Sequence, residues 1–557
     1  IKETLQEQLV KKRYRWYQEQ IAKQQLSYDE WIREKERQER EERQFLGKQY
    51  KLSVVSYDEC RADFSFENYK NADIIVFHAP DGTPDMRELA FVSDFFERFP
   101  DTVIAYGDED EIDEKGVRTN PWLKPDWSPD TLISYFYFGG FFAVRREAVS
   151  SLKWLGDEDF HRNLYDLALQ AVELSGGAGH IDSVLFHRNK IDVWGMEEVY
   201  EDLKRSAYVR RGWKLAPEGK VSVIIPSKDN PRVLSTCIHS VMEGSTYRDF
   251  EIIVVDNGSN AKNRARIEQM REMLQEKYRF VYHYEPMEFN FSRMCNLGVS
   301  YATGDYILLL NDDIEITQDD WLEKLMEKAV LPHVGAVGAK LIYPGTEIIQ
   351  HAGITNIHLG PAHKLQFRSD ALEFYFKRNR LAMDVLGVTG ACLLVKRSIY
   401  EQAGGLSEKL RVAFNDVEFC YHLHEMGYYN VVRNDVCLTH HESLSRGADD
   451  STEKLRRLHM ELNLLYELHP SVYGRDPFYH RYLIKDVLDA EFYTGCRYDF
   501  DKRVETVEPA LIEGGLMPEW HNEVLRIGVE FAGDMERWEK GISGSGDWMI
   551  QGWTWAL

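Results

Sequence analysis

Short apolar runs separated by amphipathic, polar-faced stretches fill most of the chain, and their alternation predicts strands and helices in turn. Before the alternation starts, Ile1 to about Phe45 is dense in Gln, Glu, Lys and Arg and carries Leu5, Leu9, Tyr14, Trp16, Ile21 and Trp31 as spaced apolar positions. Residues 1–49 therefore read as a helical segment, in two pieces, with a solvated charged face. Residues 50–195 follow an α/β pattern: the strand ADIIVF, a helix through Leu89 to Phe99, the strand VIAYG running into acids, then FFAVRR. A polar linker, 196–219, precedes a second α/β unit over 220–449. It opens with KVSVIIPSKDN, a strand ending at Pro226, then a helix through Val233 to Met242, the strand EIIVVDNGS, a helix from Ala261 to Glu276 and the strand FVYHYE. After Trp321 come the strands VGAVGAKLIY and VTGACLLVKR, the acidic helix start FNDVEFCYHLHEMGY and the strand-like NVVRNDVCLTHHESLSRG. Residues 450–500 read as a helical extension, and 501–557, with RIGVEF and DWMIQGWTWAL, as the start of a β-rich domain. Strand and helix alternating with short loops predict a parallel, doubly wound sheet with right-handed crossovers.

In such a sheet the chemistry gathers where strands end. Asp229, Asp256, Asp312 and Asp313 all follow apolar strands, so they are expected together on the carboxyl edge. The stretch Leu308–Ile316, LLLNDDIEI, delivers adjacent carboxylates at the end of a buried run. Hard oxygen ligands in that position suit a divalent cation and a phosphate-bearing substrate.

Charge and composition narrow the classes. With 557 residues the chain is long enough for several domains, each with a core. A formal net charge of −24 excludes a general nucleic-acid binder, whose affinity rests on clustered Lys and Arg. The seven cysteines are scattered and lack C-x-x-C spacing, which predicts free thiols in a reducing compartment. No apolar run has the length of a membrane span and no signal peptide precedes the first domain, so a soluble cytoplasmic protein is expected. The first residue is Ile1 and the last lie in an apolar string, as in a segment of something longer.

No G-x-x-x-x-G-K-[ST] loop and no G-x-G-x-x-G follows the first strand, which speaks against P-loop enzymes and dinucleotide dehydrogenases. Instead VSVIIPSKDN, IIVVDNGS, NFSRMCNLG, GDYILLLNDDIEI, GVTGACLLVKR, FNDVEFCYHLHEMGY and THHESLSRG occur in the order and spacing of family 2 glycosyltransferases. The chain resembles that family over most of Lys220–Gly447. The resemblance implies a GT-A fold, a doubly wound mixed α/β sheet that binds a nucleotide-diphospho-sugar, and an inverting, metal-dependent transfer.

Carried over residue by residue, the resemblance implies that Pro226, Asp229 and Asp256 line the nucleoside pocket, with Asp256 on the base, and that Arg293 approaches the nucleotide. The family's D-x-D falls on Asn311, Asp312 and Asp313, so Asp313 matches the metal ligand and Asp312 the ribose contact; Asn311 replaces an acid. Asp416, in Asn415-Asp416-Val417-Glu418, matches the base that takes the acceptor's proton. Alone, Asp416 and Glu418 would read as an acidic first helical turn. His440 matches the histidine that completes the metal site for Mn²⁺ or Mg²⁺, with His441 as the alternative register. Thr389, Gly390 and Glu418 are expected at the acceptor or donor sugar, although small residues at 389–391 equally suit tight strand packing.

The first unit resembles the second half of another such domain, in DIIVFHAPDG, AYGDEDEID, NPWLKPDWSPD, GGFFAVRR, YDLALQ and HIDSVLFHR. Its details depart from the family: Ala79, Pro80 and Asp81 stand where the metal acids belong, and Leu164, before Tyr165 and Asp166, where the base belongs. The nucleoside half is compressed into about YKLSVVSYDECRADFSF. Asp108 and Asp110 offer a D-x-D of their own. The unit is expected to be degenerate, either structural or an acceptor-binding platform.

The function implied is transfer of a hexosyl or deoxyhexosyl group from a nucleotide-sugar donor to a glycan or lipid-linked glycan acceptor in bacterial surface polysaccharide synthesis. The setting would be the cytoplasm, free or as a peripheral protein at the inner face of the membrane. The alternative is a non-catalytic carbohydrate-binding or scaffold protein. The set Asp256, Asp313, Asp416 and His440 discriminates the two, since a scaffold has no chemical need to keep it.

Overall fold

The structure, a computed structural model, describes residues 27–42, 45, 50–214, 216–276, 278–357, 360–441, 452–483, 525–534 and 548–556. One compact body runs from Gln44 to Phe492, and the flanking segments Ile1–Arg43 and Tyr493–Leu557 group separately. In the latter, Tyr28–Glu42 is a helix whose start is closed by Ser27 and Glu30, each bonding the other's backbone amide. Leu525–Asp534 and Trp548–Ala556 pair as an antiparallel ribbon, where β-like runs were expected. The proposed first helical piece, the end of the helical extension and most of 501–557 lie outside the described residues.

The body contains two sheets. The first is built from β1 (Leu52–Ser56), β2 (Ile74–His78), β3 (Gly82–Pro84), β4 (Ile104–Ile112), β5 (Arg118–Trp122), β6 (Phe141–Arg145) and β7 (Gly179–Arg188), in the order β1-β2-β6-β4-β7-β3, with β5 beside β4. The second comprises β8 (Val221–Ser227), β9 (Phe250–Asp256), β10 (Phe280–Tyr284), β11 (Tyr306–Leu310), β12 (Ile314–Glu315), β13 (Val334–Ile342), β14 (Ile349–His351), β17 (Ala382–Val385), β18 (Cys392–Lys396) and β19 (Tyr429–His440), with a separate small pair, β15 (Thr355–Ile357) and β16 (Gly360–Ala362). Its order is β10-β9-β8-β11-β18-β13-β19-β12. β10, β9, β8 and β11 are parallel, as the alternation predicts, and β18 then enters antiparallel to both β11 and β13, so the sheet is mixed.

Burial explains why these runs are strands. Val221, Val223, Ile224, Ile225, Ile252–Val255 and Ile307–Leu310 are fully buried, because helices cover both faces. The stretch read as a linker is a helix instead: Glu201–Arg210 buries Leu203 and Ala207 one turn apart, while Arg210 and Arg211 pair with Glu173. Its sparse apolar residues suffice because they fall on one face. The sheets are docked through a buried polar contact in which Asp130 receives Lys328 Nζ and His333 Nε2, both at 2.8 Å. Cys60, Cys237, Cys295, Cys392, Cys420 and Cys437 are free thiols. Among the described residues no helix is long and apolar enough to cross a membrane.

Candidate functional site

The carboxyl edge of the second sheet assembles the acids. β8 and β9 run in parallel with Ser227 opposite Asp256, which puts the ends of both strands side by side. Asp256 is fully buried; its Oδ1 accepts the Ser259 amide at 2.8 Å and its Oδ2 the Tyr282 hydroxyl. Ser227 donates 2.6 Å to Asp312 Oδ2, tying the end of β8 to the acids that follow β11. Burial pushes the Asp312 carboxyl up to about 6, against the Ser227 bond and with the neighbouring Asp313 charge. Pro226 lies buried between them in β8. Asp229, with φ 57°, caps the Ala261–Leu274 helix by accepting from the Asn260 amide at 2.9 Å and from the Asn263 side chain at 3.0 Å. Arg293 is exposed on the first turn of Phe291–Ser300, its amide held by the Asn290 cap.

Asp313 and His440 face one another across β12 and β19. The Ile314–His440 pairing sets the register, and His440 Nε2 lies 3.0 Å from Asp313 Oδ1. Gln350 Oε1 sits 2.5 Å from His440 Nδ1, a contact that orients the ring and turns Nε2 toward Asp313. A carboxylate and an oriented imidazole at this spacing fit a divalent cation whose remaining ligands come from a diphosphate. His441 turns elsewhere, to Glu315 Oε2 at 2.9 Å. Asn311 keeps its side chain 3.4 Å from His440 Nε2.

Asp416 reaches the same edge from the helix Asn415–Glu425. That helix starts after Phe414, held in the left-handed region at φ 58°, which aims its first turn back at the sheet. Asp416 Oδ2 accepts the Gly390 amide at 2.7 Å, and the next residue, Ala391, accepts the Asn311 amide at 3.0 Å. The Asp416 carboxylate and the start of the acid stretch are thus pinned to neighbouring residues of one segment. A side chain at 390 would lie 3.2 Å from Asp416 Cβ, which accounts for the glycine. A cavity of about 170 Å³ opens against Asp416, lined by Ile354, Pro361, Ala362, His363, Phe414 and Val417. Glu418 points to the other side of the helix, 3.3 Å from His469. Thr389 precedes Gly390 in the segment that carries both contacts.

Three residues at this edge were not anticipated: Gln350, His351 and His363. His351 is buried 2.7 Å from His363 through their Nδ1 atoms, and burial keeps its imidazole well below the usual histidine range. Their signal, QHAG at the end of the three-residue β14 with His363 just after β16, has no apolar run or periodicity to mark it.

Residues 222–404 match Glycosyl transferase family 2. An uncharacterized protein of Sinorhizobium fredii is 33% identical over 433 residues, 71% of this chain and 47% of that protein. The O-antigen biosynthesis protein RfbC of Myxococcus xanthus is 31% identical over 419 residues, 70% of this chain and 32% of that protein. The chain therefore spans half or less of the length of these two relatives. A mannosyltransferase of Pyrobaculum calidifontis, solved with GDP-Man and Mn²⁺, is 14% identical over 49% of this chain and 79% of that one, with a TM-score of 0.32. On the match over residues 222–404 and the sheet that carries it, the chain contains a family 2 glycosyltransferase domain of GT-A fold.

Proposed function

We propose that the second unit is an inverting, metal-dependent glycosyltransferase that moves a sugar from a nucleoside-diphosphate donor to a glycan hydroxyl. The observation that carries this reading is the pinning of Asp416 to Gly390 beside the Asn311–Asp313 edge through Ala391. In this mechanism Asp256, Pro226 and Asp229 hold the nucleoside end, and Asp312 takes the ribose. Arg293, exposed on its helix turn, meets the phosphates as they arrive. Asp313 and His440 would hold Mn²⁺ or Mg²⁺, which when bound supplies charge neutralisation for the departing diphosphate. The acceptor enters through the cavity beside Asp416, whose carboxylate accepts the proton of the attacking hydroxyl as the new bond forms on the far face of the sugar. Gly390 fixes one carboxylate oxygen, so the proton acceptor is oriented before the acceptor binds.

The O-antigen biosynthesis role named for the Myxococcus relative supports a surface-polysaccharide acceptor, glycan or lipid-linked. The first unit serves this site as a non-catalytic body. The test is incubation with a panel of nucleotide sugars and Mn²⁺ while following nucleoside diphosphate release. Donor-specific, metal-dependent release is expected; no binding and no turnover with any donor would sink the enzyme reading in favour of a scaffold.

A further inference from the structure

Asp108 and Asp110 lie two apart in β4, and the structure sends them to different partners. Asp110 is closed by Arg118 at 2.7 Å and His187 at 2.6 Å. Asp108 meets two imidazoles instead. His180 of β7 brings Nε2 to 3.0 Å from Asp108 Oδ1, and His480, in the segment after the helix Thr452–Leu468, brings Nε2 to 3.2 Å from Asp108 Oδ2. His480 Nε2 is also 2.6 Å from Asp182 Oδ1. One donor atom from each of Asp108, His180 and His480 lies within 4.8 Å of the others, and their side chains are at most 4% exposed.

The angles matter more than the distances. Asp108 Oδ2, Asp182 Oδ1 and His480 Nε2 are buried and none has a hydrogen-bond partner, although they stand at contact distance from one another. The ring nitrogen is aimed at neither oxygen as a hydrogen bond requires. Donors around a tetrahedral zinc-class ion, at about 2.0–2.2 Å from it, stand roughly 3.3 Å from each other. His180 is also braced from behind, since its Nδ1 is 3.1 Å from Asp126 Oδ1, the carboxylate–histidine pairing typical behind metal-bound imidazoles. Asp126 in turn donates its amide to the Pro477 carbonyl at 2.8 Å, so the brace is itself tied to the segment that carries His480.

We propose that Asp108, His180 and His480 bind a divalent metal of the zinc class, which staples the segment around His480 to the first sheet. One carboxylate and two neutral imidazoles supply three protein donors of a zinc-class set, all on side chains at most 4% exposed. Burial disfavours charge on both rings, but the Asp108 carboxylate wins and raises them, His180 to about 10 and His480 to about 9. Binding has one local cost. The Tyr482 amide lies 3.1 Å from His480 Nδ1, and ligation through Nε2 moves the ring proton to Nδ1 and turns that amide away.

The test uses the full chain purified without a metal-affinity tag or chelator. Metal analysis after gel filtration should find about one zinc-class ion per chain. A strong chelator should remove it and lower Tm, and zinc should restore both. His480→Gln and Asp108→Asn should lose this ion, and Asp313→Asn, altered at the donor site, should keep it. The proposal is overturned if the native chain neither carries nor takes up zinc and its Tm ignores both chelator and zinc, or if Asp313→Asn loses the ion while His480→Gln retains it. Titration of the native chain decides the matter even where a variant fails to fold.

Discussion

The two sheets of the body share one plan and part company at one pair of residues. β1, β2, β3, β4, β6 and β7 correspond in chain order to β8, β11, β12, β13, β18 and β19, with the same neighbours and the same parallel or antiparallel sense. Backbone bonds fix the correspondence residue by residue. Ala79 donates to Gly140 as Asn311 does to Ala391, and Asn189 donates to Asp81 as His441 does to Asp313. Asp81 is therefore the counterpart of Asp313, and Arg188 of His440. In the second sheet the carboxylate faces an imidazole at 3.0 Å; in the first it faces a guanidinium at 2.9 Å. A guanidinium has no lone pair to offer and is always charged, so it neutralises Asp81 where a metal would otherwise sit. The first sheet also fills the neighbouring position from within: Glu109 accepts the amide of Gly140, the counterpart of Ala391, at 3.0 Å, and Lys124, 3.4 Å from that carboxylate, donates to Phe138 O, both side chains being fully buried. The first sheet keeps the frame, fills the site with its own charges and lacks counterparts of β9 and β10. One frame thus holds a carboxylate–imidazole pair in the second sheet and a carboxylate–guanidinium pair in the first.

The largest effect that would break this contrast is at Asp416. Asp416→Asn should lower transfer by about 10²–10⁴-fold with donor binding unchanged, as measured by nucleotide release and by thermal shift with donor. Glu109→Gln, in the first unit, should lower Tm and leave the rate per folded molecule unaltered. Transfer that survives Asp416→Asn would remove the base from the second sheet. Next comes a transplant. His440→Arg copies the first unit's pair, so the chain should fold with Asp313 neutralised internally, lose metal dependence and lose at least about 100-fold in transfer. A His440→Arg enzyme still stimulated by Mn²⁺ would show that the imidazole is no ligand.

The reverse deletion reads out as stability. Arg188→Ala leaves Asp81 without its cation, while Glu109 keeps Lys124, and should cost about 1–2 kcal/mol in denaturant unfolding, with the donor KM unmoved. A smaller effect distinguishes the strands that only the second sheet has. Glu251 in β9 is buried, which raises its carboxyl, yet bonds from Ser222 at 2.6 Å, Thr303 and Arg279 win and hold it down at about 2. A depressed acid stabilises the fold above its unfolded value of about 4.5 and loses that contribution as pH falls toward 2. Glu251→Gln should therefore flatten the acid limb of a Tm-versus-pH curve between those values, with little effect on its shape above pH 5.

What could be read from the sequence follows from how local each signal is. Asp256, Asp312 and Asp313 were legible because an apolar run ending in an acid announces both the strand and its end. Asp416 needed the spacing of the whole set, since its acidic first turn looks like any other. Gln350 and Arg188 were not legible. Gln350 matters only because β14 lies beside β13 and brings it to His440, and Arg188 only because β3 pairs with β7 and sets it opposite Asp81. Both are consequences of register between distant strands, which no local window contains. The helix Glu201–Arg210 was missed for a simpler reason: with only Leu203 and Ala207 buried, its apolar stripe is too thin to stand out from a linker.

The smallest prediction tests the correspondence itself, away from any site. At the opposite edge of the sheets Asp73 Oδ2 accepts the Lys51 amide at 2.8 Å, and Asp305 Oδ2 accepts the Lys220 amide at 3.1 Å. Each aspartate also returns its own amide to the carbonyl of that lysine, at 2.7 Å in both sheets. Both side chains are exposed, so each bond is worth only about 0.5–1 kcal/mol. If the two sheets are one design used twice, Asp73→Asn and Asp305→Asn should destabilise by similar amounts, and the double variant by their sum, because the sites share no partner. Neither should change transfer, since both lie at the strand ends remote from the Asp313–His440 edge. A large cost at one aspartate and none at the other would mean that the matched hydrogen bonds do different jobs, and that the likeness of the sheets stops at their strand order.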